Sequence, residues 1–259
     1  MRNKGLSNLV LIGVFFLLPS FILFLQNTKP TLYIIGDSTV RNSNQEQWGW
    51  GTLIADYFDT AKIHVANYAI AGRSSRSFTN EKRWAGVDSL LKPGDFVMMQ
   101  FGHNDGSRPD TTQKNRGTLK GAGEDTVQLV FADGRKEIVH TYGWYIRQFV
   151  KSAKAKGAIP IVLSMIPRNI WNDGKVLRAN NDFGKWAKEV AEQEGAFFID
   201  LNAITADKYD HWGPEKVKDL FYGDHTHTNK AGADLNAQSI VEGIKQNASI
   251  GLNKYLVKK

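Results

Sequence analysis

Five short apolar runs, each separated from the next by a segment with helical periodicity, constrain this chain more than any other feature. The runs are TLYIIG (31–36), KIHVANYAI (62–70), DFVMMQFG (95–102), AIPIVLSMI (158–166) and AFFIDL (196–201). Each is about the length of a strand buried on both faces. Helices are expected at roughly 48–58, 81–91, 141–156, 178–194 and 230–246. Gly94, Gly157 and Gly195 fall between a helical pattern and the next run, where helices commonly stop. Strands alternating with helices imply βαβ units: a mainly parallel five-stranded sheet, in an α/β fold with helices on both faces. Ligands of such sheets bind beyond the carboxyl ends of the strands. One segment breaks the rhythm. In residues 106–140, Asp133-Gly134 lies between two alternating runs and predicts a hairpin inserted near that edge. With no internal repeat or low-complexity linker, residues 30–259 read as one domain.

The first 29 residues read separately. Arg2 and Lys4 precede the 17-residue run Leu9–Leu25. A basic start followed by an apolar run is the pattern of a secretory signal or, uncleaved, of a short membrane anchor. Either reading puts the remainder outside the cytoplasm, secreted or periplasmic, or anchored by residues 9–25. With no cysteine there is no disulfide, thiol nucleophile or thiolate metal site. Arg2, Lys4 and Lys29 account for three of the 33 basic residues, so the rest carries 30 against 26 acids, a net +4. That is too mild for a nucleic-acid partner and compatible with a polyanionic substrate.

The chemistry gathers where the strands end. The first run ends in GDSTV (36–40), the second in AGRSSRS (71–77) and the third in FGHND (101–105). They bring a hydroxyl, backbone N–H groups and an amide to one rim. Near the C-terminus, FYGDHTHTNKAG (221–232) supplies acid and base. Two readings of DHTH stand side by side. His225 and His227, at i and i+2, can bind a metal with Asp224; alternatively Asp224 and one histidine complete a hydrolytic triad with a distant serine. Templates for other chemistry are absent: no G-x-S-x-G, H-E-x-x-H, P-loop or complete G-x-G-x-x-G occurs.

The four blocks GDSTV, AGRSSRS, GHND and DHTHTNKAG, in this order, resemble those of the SGNH (GDSL-type) hydrolases, and most of all their rhamnogalacturonan acetylesterase-like branch. The flanking NYAIAGRSSRSF and VHTYGWYIRQF are similar to that branch as well, and the resemblance spans about residues 31–245. It implies a three-layer α/β/α, flavodoxin-like fold and neither metal nor other cofactor. By motif, Ser38 matches the nucleophile, Asp224 the acid and His227 the base. The N–H of Ser38, the N–H of Gly72 and the side-chain amide of Asn104 match the oxyanion hole. His225 is not the matching histidine and reads as a loop-supporting residue. The implied activity is removal of O-acetyl groups from an acetylated plant cell-wall polysaccharide, rhamnogalacturonan first, by a monomer. Acetyl hydrolysis or transfer on xylan or another glycan is the alternative, and a non-catalytic glycan-binding protein a third.

The residue types suit ester cleavage on their own terms. A serine hydroxyl needs an adjacent base, neutral imidazole can take and return its proton, and a carboxylate fixes the ring tautomer. Arg73 and Arg76 are candidates for holding a uronate carboxylate, against a plain structural ion pair. Trp48, Trp50, Trp144 and Trp171 can stack on sugars or pack as core. Asp37 and Asp105 are expected to order loops as hydrogen-bond acceptors. Asn247-Ala248-Ser249 fits a glycosylation sequon, relevant only to a eukaryotic secretory route.

Overall fold

The computed structural model describes residues 29–258, apart from 43, 45 and 112–114. The apolar N-terminal run Leu9–Leu25 therefore lies outside the described residues. Among those described, no helix is long and apolar enough to cross a membrane.

In chain order the elements are β1 (Thr31–Gly36), α1 (Trp50–Leu53), β2 (His64–Asn67), α2 (Ser75–Asn80), α3 (Arg83–Asp88), β3 (Phe96–Gln100), β4 (Thr126–Val130), β5 (Lys136–His140), α4 (Tyr142–Ala155), β6 (Ile159–Leu163), β7 (Trp171–Asn172), β8 (Lys175–Val176), α5 (Phe183–Glu194), β9 (Phe197–Ile199), α6 (Leu201–Trp212), α7 (Pro214–Lys218) and α8 (Lys230–Gln246). The five expected strands form one parallel sheet in the order β2-β1-β3-β6-β9. That is the flavodoxin-like order, and it reverses direction at β1, leaving a crevice between the ends of β1 and β3.

Alternation along the central strands divides the core into two layers. Tyr33, Ile35, Val97, Met99 and Val162 face Phe78 of α2, Trp84 and Val87 of α3, Phe149 and Val150 of α4, and Ala187 and Val190 of α5. Leu32, Ile34, Met98, Ile161 and Leu163 face Trp50 of α1 and Ala237, Ile240 and Ile244 of α8. The result is a three-layer α/β/α stack. Each fully buried Leu, Ile or Phe contributes about 1.5–3 kcal/mol, so strands buried on both faces carry much of the stability. Helix α4 shows how sequence makes an element. Tyr142, Tyr145, Ile146, Phe149, Val150 and Ala153 recur at three and four residues on its buried face, and the Thr141 side chain caps it by accepting from the Trp144 N–H.

Several boundaries depart from expectation. The helix expected over 81–91 shortens to α3, which begins after Lys82 in a left-handed conformation, and a separate short helix, α2, precedes it. The 48–58 helix shortens to α1 and a 3-10 turn over Ile54–Tyr57. Helix α5 begins at Phe183, after the small β7–β8 hairpin. The hairpin expected within 106–140 is β4–β5. Its loop is a turn in which the Gly134 N–H donates to the Phe131 carbonyl, with Gly134 at φ +81°.

Candidate active site

Ser38 lies two residues beyond β1, at the reversal point of the sheet. Two constraints shape the turn that carries it. A Cβ on Gly36 would come within 2.5 Å of the Val40 side chain and 2.6 Å of the Gln100 carbonyl, so only glycine permits this approach of β1 to β3. Asp37 then folds back: its Oδ1 accepts from the Thr39 N–H at 2.8 Å and the Thr39 hydroxyl at 2.7 Å.

The DHTH loop is equally local in its making. One oxygen of Asp224 accepts from the backbone N–H groups of Thr226 and His227, both at 2.7 Å. The other lies 2.7 Å from His227 Nδ1. The final helix is capped locally: the Asn229 side chain accepts from the Gly232 N–H at 3.1 Å. Long-range bonds then set this loop against the turn after β1. The Trp48 N–H donates to the Thr228 carbonyl at 2.7 Å, the Thr228 hydroxyl to the Trp48 carbonyl at 3.0 Å, and Gln47 Nε2 to the Tyr222 carbonyl at 3.1 Å.

These ties bring His227 Nε2 to 2.9 Å from Ser38 Oγ. The tautomer follows from the partners. Ionised Asp224 can only accept, so Nδ1 carries the proton and Nε2 is free to accept from Ser38. Burial works against ionisation of Asp224, but the hydrogen bonds from the His227 ring and from the His227 and Thr226 N–H groups outweigh it and hold its pKa below the usual value. Ser38, His227 and Asp224 thus stand in one continuous relay.

The predicted oxyanion donors follow the carboxyl ends of β1, β2 and β3, at one edge of the sheet. Gly72 sits at φ +77°, a conformation suited to glycine. Neither its N–H nor that of Ser38 donates to another backbone or side-chain acceptor among the described residues. One Asn104 amide hydrogen is held by the Arg73 carbonyl at 3.0 Å. An amide has two, so the second remains available.

Beneath the rim lies a buried polar floor. Asp105 accepts from the Ser75 N–H at 3.0 Å, the Ser75 hydroxyl and the Gly102 N–H at 3.1 Å. Burial pushes its pKa up to about 7 and that of Asp37 up to about 6. Both order loops, as expected of them. Gln100, which sequence reasoning missed, donates to the Thr39 hydroxyl at 2.6 Å and accepts from Trp50 Nε1 at 2.8 Å. His103 was missed too: both its ring nitrogens are shut from solvent, and burial, then the nearby Arg168 charge, lowers its pKa to about 3, so it is neutral.

Arg76 departs from expectation. It is fully buried, and its guanidinium is taken up by Glu137 of β5 at 2.7 and 2.8 Å, by the Gly117 carbonyl at 2.9 Å and by Asn115. With each of its three nitrogens bonded and no access to solvent, Arg76 anchors the hairpin and is not placed to reach a substrate. Arg73 stays at the surface with its Nε between the Glu81 oxygens at 3.1 and 3.2 Å. Of the tryptophans, Trp50 is wholly buried, Trp144 stacks on His140 at 3.7 Å, Trp171 bonds Asn169 and Trp48 supports the DHTH loop. The side chain of His225 is exposed and makes no hydrogen bond among the described residues, while its carbonyl accepts from the Asn169 N–H at 2.8 Å. Among the described residues no group of three or more His, Asp and Glu is arranged to hold a metal ion.

Comparison with known proteins gives the family. Residues 34–235 match the GDSL-like lipase/acylhydrolase family. A rhamnogalacturonan acetylesterase of Emericella nidulans is 34% identical over 214 residues, covering 83% of this chain and 84% of the relative. A probable rhamnogalacturonan acetylesterase of Bacillus subtilis, YesY, is 30% identical over 83% of this chain and 92% of its own length. Among solved structures, the Bacillus subtilis protein YXIM superposes with a TM-score of 0.69 at 28% identity over 85% of this chain, which spans 57% of that structure. The chain belongs to the GDSL-like lipase/acylhydrolase family and is a carboxylic ester hydrolase.

Proposed function

We propose that this family member is an exported serine carbohydrate esterase that removes O-acetyl groups from a pectic polysaccharide, rhamnogalacturonan first. The observation that carries the mechanism is the unbroken relay from Ser38 Oγ through His227 to Asp224, at 2.9 and 2.7 Å. The names of the 34% and 30% identical relatives support the substrate class. The apolar N-terminal run read above supports export, and the relay drawing its three residues from one chain supports a monomer.

His227 Nε2 takes the Ser38 proton as Oγ attacks the acetyl carbonyl. The N–H groups of Ser38 and Gly72 and the Asn104 amide receive the oxyanion. Asp224 holds the ring in the productive tautomer and stabilises the imidazolium. The imidazolium then protonates the sugar oxygen as its bond to the acetyl carbon breaks, leaving acetyl-Ser38. Water gives a proton to His227 and attacks that ester, and acetic acid departs as the proton returns to Ser38 Oγ, then ionises to acetate in solvent. Every proton taken is returned, so no co-reactant is needed.

Acetate release from acetylated rhamnogalacturonan, homogalacturonan and xylan by the full chain tests the reading. The pectic polymers should be preferred, and Ser38→Ala should lower release by roughly 10⁶-fold. Undiminished release by that variant overturns the mechanism; equal or better release from xylan overturns the substrate.

A further inference from the structure

Beyond β6 the chain runs Ser164-Met165-Ile166-Pro167-Arg168 past the same edge of the sheet that carries Ser38, Gly72 and Asn104. Arg168 is half-buried there. Its Nη2 makes a single long hydrogen bond, 3.4 Å to the carbonyl of His103, the residue before Asn104. Its Nε is closed to solvent and has no acceptor. The next residue, Asn169, donates its N–H to the His225 carbonyl at 2.8 Å. Arg168 is therefore held between the loop that carries Asn104 and the loop that carries His227.

Its state contrasts with that of the other arginines built into the scaffold. Arg76 meets Glu137, Arg147 meets Glu124 and Glu194, and Arg178 meets Asp207 and Asp210. Arg168 has no Asp or Glu within ion-pair distance among the described residues. A guanidinium half withdrawn from water with no ion pair, and only the longer-range charge of buried Asp37 near it, is costly. A cavity of about 160 Å³ opens against it, with apolar walls that include Met165, Ile170 and Leu177. Asp182 also lines that cavity but does not pair with Arg168. A cationic fork beside a small cavity, adjacent to the ester-cleaving relay, lacks only an anionic partner.

We infer that Arg168 is the specificity-determining residue that receives a carboxylate of the acetylated substrate, which assigns the site to uronate-bearing glycans over neutral ones. This rests on the acetylesterase reading above. The planar guanidinium matches a carboxylate with two parallel hydrogen bonds, which a neutral sugar cannot return. Its place next to Asn104 puts the carboxylate on the sugar that carries the ester or on its neighbour.

Acetylated polygalacturonate and its carboxyl-methylated form, compared as substrates for the full chain, test this. Wild-type kcat/KM should be about 10–100-fold higher on the free acid, the range expected of a hydrogen-bonded charged pair. Arg168→Gln should bring that ratio close to one, and Arg168→Lys should keep part of it. Thermal unfolding of each variant reports whether the fold is intact, and the ratio is insensitive to a uniform loss of active protein. A wild type indifferent to methylation overturns the inference. So does an Arg168→Gln variant that slows both forms equally, which would make Arg168 purely structural. Acetate release from neither polymer by the wild type overturns the pectic reading itself and the inference with it.

Discussion

Asp224 and Asp105 each sit beside a rim residue, yet the fold treats them in opposite ways. Asp224 is open to solvent and held ionised by three hydrogen bonds from the loop it belongs to. Asp105 is sealed beneath the rim, where burial pushes its pKa up to about 7. The same carboxyl group is a charge against the His227 ring in one place and a rivet between loops in the other. Solvent access decides which, because desolvation penalises the charged form alone.

The largest effect should come from the open carboxylate. Asp224→Asn keeps the shape but lets the ring adopt the wrong tautomer, so kcat should fall by roughly 10⁴-fold. Steady-state hydrolysis of an aryl acetate measures this, and a fall under tenfold would erase the distinction drawn between the two sites. Next comes the neighbour of the buried carboxyl. Asn104→Ala should lower kcat by about 10²–10³-fold with little change in KM, since an oxyanion donor acts in the transition state.

Asp105→Asn should act on stability. With the amide oxygen kept toward Ser75, it sets an NH2 group, which cannot accept, against the Gly102 N–H, at a cost of about 1–3 kcal/mol in denaturant unfolding at pH 4. The pH dependence follows from the direction of the shift. Between its unfolded value of 3.8 and its folded value of about 7, Asp105 keeps a proton in the native state that the unfolded chain has released. Its contribution therefore falls as pH rises through that window. The stability gap between wild type and Asp105→Asn should narrow from pH 4 to 7; a widening gap would mean that Asp105 is ionised in the fold. Asp224 runs the other way: its contribution is present above the unfolded value and lost as pH falls through a folded value below it. The smallest effect is that of a chelator, which should leave hydrolysis unchanged. Loss of activity restored by zinc would return DHTH to the metal reading.

Much of this was legible in the chain itself. The strands were, because β1 and β3 are buried on both faces and leave continuous apolar runs. Helix α6 was not anticipated: Asn202 and Thr205 occupy its buried face and blur the apolar stripe that marks an amphipathic helix. Asn202 is there for a tertiary reason, since its side chain accepts from the Ala179 N–H and donates to the Met165 carbonyl, both at 2.9 Å. Arg168 was within reach, because it follows a strand end as Ser38, Gly72 and Asn104 do, but no motif flagged it. Arg76 and Arg73 show the converse. Both stand in a rim motif, and only the folded chain reveals that one is locked to Glu137 and the other turned to Glu81.

The sequence alone determined the sheet, the rim and the spacing of Asp224 to His227, because these rest on periodicity and on contacts within one turn of chain. Only the tertiary structure could decide that Ser38 meets His227 across 189 positions, through the Trp48–Thr228 and Gln47–Tyr222 bonds. It also decided which charges stay charged. Burial and counter-ions are properties of what surrounds a residue, and those surroundings come from segments far away in the chain.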